Sequence, residues 1–506
     1  MRQRREHFKI TRWARRYDKR SGKFIVDIAY RTATDITPRT IAVSEAFGVG
    51  VDQEQKFVVY DNVELKIGPK DVVLITGDSG SGKSVLLKAL AKDIQDNPEL
   101  GGIVNITDVF IDEEKPLIET VGATVEEGLE LLSRVGLNDA FLFVRRFKEL
   151  SDGQRYRYRI AKMIECGAQW WVMDEFCATL DRDTAKIVAF NVQKLARQTG
   201  RAVLAATTHT DLFDDLAPSV HIHKRYGKEI CVVYYTNKPA KQCSLVKDMY
   251  VVQANLKEYE KLAGFHYRDS GGIPVVQKVF ALKRGDETVG VIVYKSPGMV
   301  ALGRLLALGR RIMLQELNKD WSLITRVVVH PKYRTIGLGA KIVEDTLYKC
   351  GRPYVESIAV MARYNPFFQR AGMRRIAEST PDRRLLKTLA KLSDLGFDQT
   401  FLSSQAYNLH KLREDPNLVV MVKDVLREFS RGAGIYRKRL AGTRDAILSH
   451  EEFKSILEKA DNEKFAKMLR ILSFLAQPKV YLFWKSPALD FLKFLQDEKS
   501  KMSRLA

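Results

Sequence analysis

Apolar and polar positions along the chain switch between two periods. Val72-Val73-Leu74-Ile75-Thr76, Trp170-Trp171-Val172-Met173 and Ala202–Thr207 are short, continuously apolar runs, the pattern of parallel strands buried on both faces. Around them, Val85–Leu90, Val121–Val135, Arg155–Cys166 and Thr184–Thr199 carry apolar residues at helical spacing, with Glu126, Glu127 and Glu130 on a polar side. Strands and helices in alternation predict an α/β domain built on a parallel sheet. Phe24–Tyr30, Thr40–Val43, Phe57–Ile67, Ile103–Ile111 and Val232–Tyr235 read as further strands, with turns at Thr34–Pro38 and Gly68-Pro69-Lys70.

After a linker at Asn237-Lys238-Pro239 the pattern starts again. Met249–Gln253 reads as a strand and Lys257–Ala263 as a helix. Val275–Leu282 and Thr288–Tyr294, joined through Lys283–Glu287, predict a hairpin. Leu323–Val329, the helix Ala340–Cys350 and the strand Tyr354–Val360 complete a second α/β region. From Arg383 the chain reads as amphipathic helices, for instance Leu418–Phe429 and Phe453–Leu475, with a basic stretch at Tyr436–Leu440. The expected organisation is a basic arm with lead-in strands (1–40), two α/β domains (41–240 and 245–380), and a helical C-terminal region for partner or substrate contact (383–506).

Composition narrows the class. No apolar run is long enough to span a bilayer, and the basic N-terminus lacks the apolar segment of a secretory signal. Five cysteines are scattered without a CxxC, which predicts reduced thiols in a cytoplasmic compartment. With 83 basic against 62 acidic residues the net charge is +21, a balance that suits a polyanion such as nucleic acid and also a merely well-solvated basic surface. In the first twenty residues, Phe8, Trp13 and Tyr17 lie among nine Lys and Arg. That mixture fits a flexible arm for phosphate contact and base stacking, or a solubilising tail.

The clearest chemistry is GDSGSGKS at Gly77–Ser84, between the apolar strand and a helix. Gly77, Asp78, Ser79, Gly80, Ser81 and Gly82 would curl backbone N–H groups round a β-phosphate, Lys83 would reach the β- and γ-phosphates, and Ser84 would face Mg²⁺. The expected ligand is a nucleoside triphosphate.

Further on come Leu150-Ser151-Asp152-Gly153-Gln154, Trp170–Glu175, Ala178-Thr179-Leu180-Asp181, and His209 after the last buried strand. The order and spacing of these motifs resemble the ABC-type ATPases over about Ile41–Asn237. The resemblance implies that Asp174 joins Ser84 in holding Mg²⁺, that Glu175 polarises the attacking water, and that His209 senses the γ-phosphate. It also implies that Ser151, Gly153 and Gln154 bind nucleotide held by another copy, with Asp181 at the seam, so that one module per chain makes a two-fold homodimer around two ATP. Asp152 stands where many members have glycine. Asp112, Glu113 and Glu114 stand where the family's glutamine loop is expected. Without a membrane segment, a soluble mechanical or gating ATPase is favoured over a transporter subunit.

In the second half, a strand, then His330-Pro331-Lys332-Tyr333-Arg334-Thr335-Ile336-Gly337-Leu338-Gly339, then a helix, resembles the coenzyme-A loop of GNAT acetyltransferases, and NPFFQRAGM at 365–373 extends the likeness over about Lys247–Glu378. A generic α/β module with a tight turn would also fit the local pattern. The resemblance implies an α+β acyltransferase domain over 245–380, in which acetyl-CoA is bound by Val327, Val328, Val329, Arg334, Gly337, Leu338, Gly339 and Ala340. Phe368 occupies the slot where many relatives carry a tyrosine acid, and Tyr364 is nearby. Asn365-Pro366 reads as a helix N-cap followed by proline. His266, Tyr267 and Arg268, with Tyr364 and Asn365, are candidates for an acceptor cleft, although a surface role for the first three also fits. Arg304, Arg310 and Arg311 fall on an expected helix whose charge suits an anionic acceptor. Together the two resemblances indicate an ABC ATPase–GNAT fusion. The leading expectation is ATP-driven N-acetylation of a nucleic acid. A protein or small-amine acetyltransferase with a regulatory ATPase, and a nucleic-acid clamp that only binds acyl-CoA, are the alternatives.

Overall fold

The computed structural model describes residues 8–32, 36–48, 56–266, 273–299, 301, 303–379, 381–432, 434–443 and 448–488. The chain forms two compact units, 1–294 with 326–350, and 295–325 with 351–506.

The first unit opens with an antiparallel sheet of β1 (Phe8–Asp18), β2 (Lys23–Thr32) and β3 (Lys56–Lys66), in that order. The basic arm expected over residues 1–20 is therefore a strand over 8–18. Its rings pack onto β2, Trp13 against Tyr30 at 6.2 Å and Tyr17 against Phe24 at 5.0 Å. Two of its arginines are paired as well, Arg15 with Asp93 at 2.5 Å and Asp96 at 2.6 Å, and Arg12 with Asp27 at 2.5 Å. Over the described part of the expected arm, Trp13 and Tyr17 are therefore packed and Arg12 and Arg15 paired, while residues 1–7 lie outside the described residues.

Thr40–Val43, expected as a strand, lies inside the helix Pro38–Phe47. Thr37 accepts from the Thr40 N–H at 3.2 Å and its own N–H donates to Thr40 Oγ1 at 2.8 Å, with Pro38 at the first helical position. This reciprocal cap overrides the β-branched residues that follow. The Thr34 end of the predicted turn lies outside the described residues.

The central sheet comprises β4 (Val72–Gly77), β5 (Ile103–Asn105), β6 (Trp170–Met173), β7 (Ala202–Ala206), β8 (Val220–Lys224) and β9 (Ile230–Tyr234), ordered β5-β6-β7-β4-β8-β9. All pairings are parallel except β8–β9. The pleat explains the continuous apolar runs. Val72, Leu74, Trp171 and Met173 enter one core, while Val73, Ile75, Trp170 and Val172 enter the core on the opposite face. Helices Lys83–Asp96, Asp152–Glu165 and Arg182–Thr199 begin at the phosphate loop, at Ser151 and at Asp181 respectively. The predicted strand Ile103–Ile111 shortens to three residues, and the helix in Val121–Val135 begins only after Thr124 caps it.

The same unit holds β10 (Met249–Ala254), β11 (Val276–Arg284) and β12 (Glu287–Lys295). Gly285 (φ 57°) and Asp286 close the expected hairpin between β11 and β12. Residues 326–329 of β13 (Trp321–Val329) and the helix Leu338–Leu347 complete it.

In the second unit the start of β13 pairs in parallel with β14 (Tyr354–Ala359), Trp321 opposite Tyr354 and Ile324 opposite Ser357. β15 (Arg374–Ser379) and β16 (Lys479–Lys485) follow, in the order β13-β14-β16-β15. The region 383–506, expected as wholly helical, thus contains a strand. Helices from Arg383–Asp394 to Asn462–Leu475 form their own core around Leu389, Val422, Leu426, Phe465 and Leu469, between β15 and β16. The apolar run Val480-Tyr481-Leu482-Phe483-Trp484 of β16 fills the gap between β14 and β15. The helix expected over Phe453–Leu475 is two, His450–Glu458 and Asn462–Leu475, because Asp461 caps the second by accepting from Lys464 N–H.

Candidate functional site

The phosphate loop follows β4 directly, and its backbone needs glycine. Gly77, Gly80 and Gly82 have φ of 143°, 76° and 106°. A Cβ on Gly77 would stand 2.0 Å from the Lys224 carbonyl oxygen of the adjoining β8, so only glycine fits. Tyr60 donates its hydroxyl to the Gly82 carbonyl at 2.9 Å and fixes the far end of the loop. Lys83 folds back over it, donating to the carbonyls of Gly77 at 2.8 Å and Asp78 at 2.6 Å. Burial pushes the Lys83 ammonium below the ordinary lysine range, although Asp78 and Asp174 partly offset this. Ser81 Oγ is buried without a hydrogen-bond partner. An unpaired hydroxyl inside a cradle of glycines and a lysine is a donor set that fits a phosphate.

The end of β6 brings the two acids to this loop. Ser84 donates to Asp174 Oδ1 at 2.9 Å, and the Glu175 N–H donates to the same oxygen at 3.0 Å. Ser84 and Asp174 are the oxygen donors that fit Mg²⁺, a cation that takes most of its remaining ligands from phosphate and water. Among the described residues no group of three or more His, Cys, Asp or Glu could hold a metal by itself. Glu175 is exposed, with φ of 49°. The His209 backbone N–H donates to Thr207 Oγ1 at 3.1 Å at the end of β7, holding the turn that presents the ring.

The signature residues stand at the start of another helix. Gln154 Oε1 accepts the Ser151 N–H at 3.0 Å and caps Asp152–Glu165, and a Cβ on Gly153 would meet Thr184 Cγ2 at 3.1 Å. No hydrogen bond or ion pair among the described residues joins Ser151, Gly153 or Gln154 to the loop 77–84. Asp181 caps Arg182–Thr199 through the Thr184 N–H at 3.2 Å and is ion-paired with Lys332 at 3.0 Å. Of the acids in the glutamine-loop position, Glu114 is paired with Lys148 at 2.9 Å and Asp112 with Lys115 at 3.4 Å, which leaves them on the surface.

The profile of the ABC transporter family matches residues 60–124. The phosphonates import ATP-binding protein PhnC 1 of Cupriavidus metallidurans is 27% identical over 239 residues, 38% of this chain and 82% of its own length. The cytochrome c biogenesis ATP-binding export protein CcmA of Ruegeria pomeroyi is 30% identical over 168 residues, 30% of this chain and 79% of its own. The chain belongs to the ATP-binding cassette family. The ABC cassette occupies the N-terminal part of the chain, and its function is that of an ABC-type, ATP-binding ATPase. Among solved structures, the dimeric post-hydrolysis state of the ATP-binding cassette MJ0796 bound to ADP and Pi is similar at 20% identity, with a TM-score of 0.30, over 36% of this chain and 94% of that one. Among the described residues no helix is long and apolar enough to cross a membrane.

Outside the cassette, the segment after β13 is firmly held. The His330 N–H donates to the Val289 carbonyl at 2.9 Å, and Arg334 Nε donates to the Val329 carbonyl at 3.2 Å. Val328 is buried against Tyr259, Val279, Val291 and Val293. Thr335 and Gly337 take φ of 79° and 90° before the helix that carries Leu338, Gly339 and Ala340. Burial lowers the Arg334 guanidinium's pKa, although Asp139 at 3.7 Å opposes the shift.

Several acceptor-cleft expectations change. Tyr267 and Arg268 lie outside the described residues, and His266 ends a short turn, its N–H donating to the Ala263 carbonyl at 3.0 Å. Tyr364 lies under the Arg363 guanidinium, 5.7 Å from ring centroid to carbon. Pro366, not Asn365, occupies the N-cap of Phe367–Arg370, without a side-chain cap. Phe368 is buried and stacked on Phe367 at 4.2 Å. Arg304 does not offer its charge to an acceptor. It is buried against Glu356 at 2.8 and 2.5 Å, while Arg310 is paired with Glu316 at 2.8 and 2.5 Å. Sequence reading missed Glu356 because nothing in a strand's alternation marks which acid meets a buried arginine from a distant helix. It missed Lys332 as a partner of Asp181 for the same reason.

Proposed function

We propose that the protein is an ABC-type ATPase acting as a two-fold homodimer and driving an acetyl-CoA-dependent N-acetyltransferase module, with a nucleic acid as the amine-bearing acceptor. The observation that carries the ATPase half is the cradle at Gly77–Ser84 closed by the Ser84–Asp174 hydrogen bond. Mg²⁺ held there would neutralise phosphate charge. Lys83 stabilises the negative charge that develops on the transferred phosphoryl oxygens, Glu175 accepts a proton from the attacking water, and His209 is the candidate sensor of the γ-phosphate. The placement of Ser151, Gly153 and Gln154 together at the head of one helix supports their service to a second copy's nucleotide.

Supporting the transferase half are the segment Arg334–Gly339 at the N-terminus of Leu338–Leu347, where backbone N–H groups are available for a diphosphate, and the parallel pairing of β13 with β14. In acetyl transfer an amine nitrogen replaces the thioester sulfur at the carbonyl carbon, and the proton lost from nitrogen balances the released thiol. Phe368 supplies no proton, so that proton reaches the thiolate through solvent. The net charge of +21 supports a polyanionic acceptor, although the pairing of Arg12 and Arg15 takes those two cations out of that argument.

Two experiments test the two halves. In gel filtration with MgATP, Glu175→Gln accumulates as a dimer, and a monomer under those conditions refutes the sandwich. With labelled acetyl-CoA, ATP and RNA, DNA or protein, label is expected in nucleic acid. Label confined to protein refutes the acceptor, and no transfer to any of them refutes the transferase.

A further inference from the structure

The loop between the cassette's acidic pair and its next helix is clamped by a lysine from outside the cassette. Lys332 Nζ lies 3.0 Å from Asp181 Oδ1 and 3.1 Å from Asp183 Oδ2, and Arg284 Nη1 reaches the same Asp183 oxygen at 2.7 Å. The backbone that delivers this ammonium is itself fixed. Arg157, buried in the signature helix, donates to the Lys332 carbonyl at 3.0 Å and the Pro331 carbonyl at 3.4 Å. Burial, reinforced by the charge of Arg334, pushes the Arg157 guanidinium down to about 10. Carbonyl oxygens are thus its partners in place of a carboxylate. Lys194 Nζ reaches the Thr335 carbonyl at 3.4 Å on the other side.

From Asp181 back to Glu175 the chain has no slack. The Leu180 N–H donates to the Cys177 carbonyl at 3.2 Å, the Ala178 N–H to the Glu175 carbonyl at 3.0 Å, and the Phe176 N–H to the Ala206 carbonyl at 2.7 Å. Glu175 and Cys177 have φ of 49° and 58°, conformations that persist only when their surroundings hold them. Two linked turns therefore transmit the position of Asp181 to the residue that faces the attacking water. Burial disfavours the Asp181 and Asp183 carboxylates. Hydrogen bonds from Thr184 and Lys332 to the first, and from Arg284 and Lys332 to the second, outweigh it and keep both acids below the ordinary range.

We infer that Lys332 is a positioning residue for ATP hydrolysis, holding the Glu175–Asp181 loop in its working geometry through Asp181 and Asp183. The inference rests on the ATPase alone and stands whether or not the loop after β13 takes an acyl-CoA. Its chemistry requires a cation at that point and no hydrogen-bond acceptor, which lysine or arginine can supply.

The test measures steady-state ATPase activity and binding of a fluorescent ATP analogue in the full chain. Lys332→Met keeps the stem and removes the charge. Its kcat is expected to fall about tenfold while KM and analogue affinity stay within about twofold, the mark of a contribution made after binding. Lys332→Arg is expected to recover at least about half of the lost activity. Asp183→Asn, which breaks the clamp from the opposite side, is expected to show the same kcat-selective loss. A kcat for Lys332→Met or Asp183→Asn within about threefold of the parent overturns the inference, as does a loss carried by KM. So does a folded Lys332→Arg protein that is as slow as Lys332→Met.

Discussion

Arg304→Met separates a buried ion pair from its surroundings with little change in volume. Arg304 and Glu356 are 7% and 1% exposed at their side chains and meet through two parallel hydrogen bonds of 2.8 and 2.5 Å. Tyr481 donates to Glu356 Oε2 at 2.6 Å, Arg304 Nη1 donates to the Met299 carbonyl at 3.0 Å, and the guanidinium lies 5.6 Å from the Trp321 ring centre. The substitution would leave the Glu356 carboxylate with one hydroxyl and no counter-charge in the second unit's interior. Stranding one partner of such a pair costs about 3–5 kcal/mol, and at about 1.4 kcal/mol per tenfold that is roughly two to four powers of ten in an opening equilibrium. Hydrogen exchange read by mass spectrometry on peptides covering Trp321–Thr325 and Tyr354–Ala359 measures it locally, so the first unit does not mask the effect. Adding Glu356→Gln removes the stranded charge and should restore most of the protection, because a neutral pair incurs no comparable desolvation. If Arg304→Met speeds exchange by less than about tenfold, or the double variant is no better than the single one, the account of this pair is wrong.

Two further outcomes follow from the first unit. Gly77→Ala forces a Cβ to within 2.0 Å of the Lys224 carbonyl at a φ of 143°, so calorimetric ATP affinity should drop by more than about tenfold, whereas Gly80→Ala, with open space around it, should cost less; equal losses would count against the steric argument. Glu258 is held down to about 2 by hydrogen bonds from Lys261 and Thr288 with Lys283 nearby. Because its folded value lies below its ordinary 4.5, its stabilisation is complete above that value and is lost as pH falls towards 2. Urea midpoints should therefore decline over that window in the parent, and Glu258→Gln should flatten that part of the curve; identical slopes would remove Glu258 as the cause.

Local signals settled a good deal of the molecule. Continuous apolar runs at 72–76, 170–173 and 202–207 identify strands buried on both faces, since only a residue sequence without polar alternation suits a sheet covered on two sides. Gly77, Gly80 and Gly82 announced a backbone that side chains forbid, and the two acids following β6 lie beside it, Asp174 accepting from Ser84. Short-range competition misled the reading at Thr40–Val43, where a two-threonine cap prevailed over strand preference, while residues 8–18 of the expected arm form a strand because β2 and the distant Asp93 hold them. Long-range pairing outside the phosphate site and its sheet was not legible. The insertion of β16 between β14 and β15, the burial of Arg304 on Glu356, and the grip of Lys332 on Asp181 and Asp183 join residues far apart in sequence. Period and propensity report what a residue does to its own turn of chain, whereas the partner of a charge is chosen by whichever distant element the packed core brings within reach.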